Sequence, residues 1–189
     1  VQVRVLSEEL AWVPPVAVFR PMEGSIFYLP VAWSGTSWRL HLAGAPLSAP
    51  GDGAGIWSLW KVVAARGLER GWLRVPEDLV LEVWSAAAWE VLTSAMPEAI
   101  AGLRFYATGP QLRAVLLPVY RREDGWVAVY TEEDRWTVFM GRDPADLRQR
   151  VGEALCAAGC LADPQALRLE MKRMGKPSHA ECALPDLGR

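Results

Sequence analysis

The sequence predicts an α+β fold: a tandem duplication of a β-β-β-α-β unit with an 88-residue period, each sheet covered by a helix, and a linking helix between the copies. Three observations predict it. Residues 29–82 laid over 117–170 without a gap give 13 identities in 54 positions, where unrelated sequence gives roughly 3 or 4. Gly71 and Gly159 each close a helical pattern, at the place where a left-handed residue ends a helix and Gly alone meets no steric cost. After each glycine, a stretch led by Pro76 or Pro164 alternates apolar and polar residues as a half-buried strand does.

The elements follow in order. Residues 13–19 and 101–108 read as first strands, ended by Pro21 and Pro110. Residues 26–33 and 113–120, rich in β-branched, Leu and aromatic side chains, read as second strands. Ser34-Gly35-Thr36 and Arg122-Glu123-Asp124-Gly125 supply the turns into third strands at 37–42 and 126–130. In the second copy 135–140 adds a short fourth strand, whereas 43–53 of the first copy is a Pro/Gly/Ala/Ser loop. Asp143 is placed to cap a helix that has Pro144 in its first turn and Leu147, Val151, Leu155 and Ala158 on one face. Leu59, Val62, Val63, Arg66 and Leu68 mark the corresponding helix in the first copy, and residues 86–99 form the linking helix. The expected domains are 1–100 (first repeat plus linking helix), 101–172 (second repeat) and 173–189 (a C-terminal tail).

Composition narrows the function classes. A chain of 189 residues with 51% hydrophobic residues buries a sizeable core and is not a disordered protein. Twenty Lys plus Arg against 22 Asp plus Glu leave a net charge of −2, so there is no global cationic field for nucleic acid. No apolar run reaches a membrane span, and Arg4, Glu8 and Glu9 interrupt the first ten residues. The expectation is a soluble cytoplasmic protein with no membrane partner. Three cysteines suit reduced thiols better than a disulfide framework. The absence of Asn and the excess of Arg over Lys resemble translation from a GC-rich genome and are compatible with a thermophile. Ten Trp, eight of them between Trp12 and Trp89, call for either a thick core or an adhesive face.

Residues 123–128, Glu-Asp-Gly-Trp-Val-Ala, and 137–147, Thr-Val-Phe-Met-Gly-Arg-Asp-Pro-Ala-Asp-Leu, give the second copy a resemblance to the HicB-like antitoxin fold. They match that family's charged hairpin with its third strand and the Gly-containing entry to its helix, and 159–169 would be its closing strand. The resemblance covers about fifty residues per copy. It implies that the chain is a covalently fused pseudo-dimer, since members of the family pair through their sheets, and that its role is to bind a protein such as a toxin.

Chemistry-bearing residues are few. Cys156, Cys160, His179 and Cys182 have the ligand types of a tetrahedral zinc site. Yet Cys156 and Cys160 align with Leu68 and Trp72, so filling the core is the favoured reading, and neither a metal nor a cofactor is expected. His41 lies inside a strand, Asp52 in the long loop reads as a turn former, and Glu82 and Glu170 read as charges on strand edges. No nucleophile elbow or phosphate-binding loop is present in the sequence. The expected function is therefore non-enzymatic: an antitoxin-like protein or a subunit of a larger assembly, recognising a protein partner through sheet edges and an aromatic-rich surface. The alternative is a nucleic-acid-binding accessory protein. For either, the candidate contact residues are Trp57, Trp60, Arg66, Arg70, Arg74, Arg168, Lys172 and Arg173, with Lys176 beside the last pair.

Overall fold

Four short β-rich stretches open the molecule: β1 (Ala17–Pro21), β2 (Leu29–Trp33), β3 (Ser37–Leu42) and β4 (Ala45–Pro50). They are followed by helix α1 (Gly53–Glu69), a 3-10 turn over Pro76–Asp78, β5 (Leu79–Val83) and helix α2 (Ala86–Thr93). The second half holds β6 (Ala101–Ala107), β7 (Arg113–Arg122), β8 (Gly125–Glu132) and β9 (Arg135–Gly141). Helix α3 (Pro144–Ala157), a 3-10 turn over Pro164–Ala166 and β10 (Arg168–Met171) complete it. The structure, a computed structural model, describes residues 16–171 apart from 24–26, 43, 95, 97 and 112.

The ten strands of the described residues form one sheet in the order β10-β6-β7-β8-β9-β5-β1-β2-β3-β4, antiparallel throughout. This overturns the expected pair of β-β-β-α-β copies with a sheet each. Four strands precede each long helix, the fourth expected in the second half but not in the first, and β5 pairs with β1 on one side and β9 on the other, with Leu81 opposite Val138. The joint leaves β5 buried along its whole length, and not half-buried as its alternation predicts, because a helix covers each face and a strand each edge. The stretch read as a loop in the first half contains β4; its Pro46 and Pro50 concealed a strand that alternation would otherwise have marked.

The helices lie on opposite faces of the sheet. Neighbouring residues of a strand point to opposite sides. Leu81, Val138 and Met140 share a core with Trp57, Leu59, Trp60 and Val63 of α1, whereas Val80 and Phe139 share one with Leu147, Val151 and Leu155 of α3. The face carrying α1 is called the near face below, and the other the far face. α2 joins the near-face core through Ala88 and Leu92, both fully buried. It is shorter than the linking helix expected from the sequence.

Asp143 caps α3 as the sequence predicts, accepting from the Asp146 N–H at 2.8 Å. Asp52, expected to be a turn former in the loop, instead caps α1 in the same way, accepting from the Gly55 N–H at 2.7 Å. Gly71 and Gly159 close α1 and α3 with φ of 68° and 74°. Among the described residues no helix is long and apolar enough to cross a membrane.

Candidate functional site

Of the two readings the sequence left open for its tryptophans, a thick core and an adhesive face, the core takes most of those among the described residues. Trp57 and Trp60 keep 2% and 5% of their surface exposed. The Trp60 indole N–H donates to the Leu79 carbonyl at 3.0 Å, and the Trp57 ring is capped by the Arg122 guanidinium 4.2 Å from its centroid. Arg122 also pairs with Asp124, which draws in Lys61. That cluster fastens the β7–β8 hairpin onto α1. Trp33 stacks on Trp38 and Trp89 on Trp136. Trp84 is the large aromatic left half-exposed near the middle of the sheet.

The arginines of the first half do not form one patch. Arg66 pairs with Glu69, Arg70 stacks on Trp72, and Arg74 reaches Glu23 and Asp78. Each is taken up by its own neighbour. Lys172, Arg173, Lys176, His179 and Cys182 lie outside the described residues, as does the expected tail at 173–189. Cys160 sits 3.8 Å from the Tyr130 hydroxyl, whose pKa burial and the thiol push up to about 12. Among the described residues no group of His, Cys, Asp or Glu is arranged to hold a metal ion.

Two polar clusters are structural in geometry. Arg150 of α3 bonds Asp78 at 2.6 Å and Asp146 at 3.0 Å, tying the 3-10 turn before β5 to the second half of the chain. Burial pushes the Asp78 carboxyl up, but the Arg150 hydrogen bond, the N–H groups of Arg74 and Val75, and the Arg150 charge together hold it below the ordinary aspartate value. Asp146 is likewise held low against burial by the Arg142 N–H and Arg150. On the far face Glu82 is 6% exposed and accepts from Arg20 at 2.6 Å. Its neighbour Tyr28 has its hydroxyl pKa pushed up to about 12 by burial and the Glu82 charge. Glu82 is thus a paired charge in the centre of the sheet and not the edge charge expected; Glu170, on β10, does lie on an edge.

The open surface is at the β10 end. α1 and α2 cover the near face over β9 and β8, where Val127, Val129, Val138 and Met140 are buried, and reach β7 only at its Tyr120–Arg122 end. Beyond them the near face of β7, β6 and β10 presents Leu116 opposite Arg104, Ala114 opposite Tyr106, and Arg168 opposite Arg104 in turn. Leu116 and Tyr106 are 57% and 56% exposed, and Met171 at the end of β10 is 57% exposed. Leu116 can lie flat because Gly102 beside it has no side chain: a Cβ there would meet the Leu116 Cδ1 at 2.6 Å. Arg104 holds Glu170 at 3.2 Å. Sequence reasoning reached Arg168 but missed Tyr106, Leu116 and Arg104. The signal was available: Arg104 and Tyr106 alternate with the buried Leu103 and Phe105.

The two edges of the sheet are unlike. The Gly51 N–H donates to the Thr36 carbonyl at 3.0 Å, and Ser37 lies opposite Pro50. By alternation, the odd-numbered residues of β4 turn their N–H groups to β3 and the even-numbered ones turn outward. Pro46 and Pro50 occupy even positions and have no N–H to offer, so β4 cannot donate a regular ladder to another strand. β10 contains no proline, and among the described residues no strand pairs with its outer side. Comparison of the chain with protein-family models, with curated proteins and with solved structures finds no match.

Proposed function

We propose that this chain is a non-enzymatic protein-binding module that engages its partner at the β10 end of the sheet. The observation that carries the reading is the Tyr106–Leu116 pair, each more than half exposed on a sheet face that no described element covers, beside a strand edge unpaired among the described residues. Exposed aromatic and aliphatic anchors beside a free backbone ladder suit a protein surface, where the apolar groups bind and the edge sets the register. An antitoxin or an assembly subunit would use such a surface in the same way. The near-neutral charge and the individually engaged Arg66, Arg70 and Arg74 favour protein over nucleic acid.

The test compares the tagged full chain with a Tyr106→Ser/Leu116→Ser variant as baits in nuclease-treated extract of the native host. A stoichiometric protein bound by the first and lost by the second supports the reading. Recovery of nucleic acid that is lost as salt rises, with no protein dependent on Tyr106 and Leu116, overturns it in favour of the accessory-protein alternative.

A further inference from the structure

We propose that β10 pairs antiparallel with β10 of a second copy of this chain, in the register centred on Leu169. The inference rests on the reading of the β10 end as a protein-binding surface and names an occupant for its edge.

Two-fold symmetry restricts the pairing severely. In a continuous antiparallel sheet the axis runs perpendicular to the sheet, so residues facing each other across it point to the same side and the register must centre on a residue. Centring on Arg168 sets two arginines opposite one another, and centring on Glu170 sets two glutamates opposite one another. Like charges directly opposed are unfavourable. Centring on Leu169 places Leu169 against its own copy and Arg168 against Glu170, twice over. Centring on Met171, the fourth residue of the strand, sets Glu170 opposite Lys172 and so runs the pairing past the end of β10. Of the four, the Leu169 register alone is complementary in charge within the strand.

The side chains are prepared for it. Arg168 is exposed and has no ion-pair partner among the described residues. Glu170, already oriented by Arg104 at 3.2 Å, lies on the same near face as Arg168. It would be shared between Arg104 of its own chain and Arg168 of the other. Leu169 lies half-buried on the far face, packed against the core of α3, and Met171 beyond it is 57% exposed. A head-to-tail alternative, β10 of one copy on β4 of the next, is closed by Pro46 and Pro50. Among the described residues the only edge that accepts a strand is thus self-complementary, and the association ends at two.

The consequence bears on binding. The axis keeps both near faces on one side, so the two Tyr106–Leu116 patches join one surface, with the β6 strands of the two copies about 14 Å apart, three strand spacings. A partner would meet a doubled platform.

Sedimentation velocity of the full chain over a wide concentration range tests the pairing. The wild-type chain is expected to dimerise. Arg168→Glu and Glu170→Arg should each raise the monomer–dimer midpoint by about tenfold or more, because two attractive cross-strand pairs become repulsive. The double exchange Arg168→Glu/Glu170→Arg should restore it. These positions are exposed, and circular dichroism checks that each variant is folded. A wild-type chain that stays monomeric, single variants without effect, or a double exchange that fails to rescue overturns the pairing. The Tyr106→Ser/Leu116→Ser variant separates the two readings: it should dimerise as wild type while losing partner capture. Retained capture in that variant overturns the platform reading and leaves the dimer standing.

Discussion

β4 and β9 occupy the same place in their halves of the sheet, each the last of four consecutive strands before a long helix, yet one ends the sheet and the other extends it. β9, Arg-Trp-Thr-Val-Phe-Met-Gly, supplies backbone donors along its length and takes β5 as a neighbour. β4, Ala-Pro-Leu-Ser-Ala-Pro, lacks donors at two outward positions and takes none. The lesson is that the size of this sheet is set by which edge residues can donate and not by hydrophobic pattern alone.

The largest effect is expected from giving β9 the defect of β4. Val138→Pro removes a donor opposite Leu81 and replaces a branched side chain that is 1% exposed with a ring closed on the backbone nitrogen; it should cost about 3 kcal/mol or more, read by urea unfolding. Second is the tie beside the same joint. Asp78→Ala leaves Arg150 with Asp146 alone in a nearly buried setting and should cost about 2 kcal/mol.

That tie also predicts a pH dependence. The Asp78 and Asp146 carboxyls are held below their ordinary values in the folded state. Their contribution is therefore complete above the unfolded aspartate value of about 4 and disappears as pH falls through the lower folded values. Unfolding followed from pH 6 downward should show stability declining below about pH 4. Asp78→Asn should flatten that decline.

A smaller thermodynamic effect, with a visible outcome, is expected from the converse exchange. Pro46→Val/Pro50→Val restores donors to the outer side of β4 and should change stability by about 1 kcal/mol or less. It should also produce concentration-dependent association beyond the dimer, measured by light scattering; an unchanged mass would remove the prolines from the account. Smallest is Tyr106→Ser. At 56% exposure it should shift stability by about 0.5 kcal/mol or less, while abolishing partner capture.

Much of the local structure was legible in the sequence. Asp143, Pro144 and Gly159 marked the ends of α3, and the alternation after Pro76 and Pro164 marked β5 and β10. What escaped depends on pairing between distant strands. β4 was hidden because proline is tolerated on an outward edge, a property of position in the sheet. Glu82 and Glu170 looked alike because nothing in the sequence tells that β5 is flanked by β1 and β9 while β10, among the described residues, is flanked by β6 alone. Trp57 and Trp60 read as contact residues because their burial follows from the sheet face that α1 covers. At the site, Arg168 was found as a charged residue on a strand, but Tyr106 and Leu116 drew no notice, since alternation identifies an exposed face without saying that no helix will cover it.

The β5–β9 joint also sets a clock. β5 is complete once Val83 has been synthesised, yet its neighbour ends at Gly141, with α2 and three other strands to be made in between. At about 5–20 residues per second of chain growth, an apolar strand edge stays unpaired for several seconds on every molecule produced. Faster translation of this stretch, or a chaperone that shields Leu79–Val83 during it, should raise the yield of folded protein without altering the finished molecule.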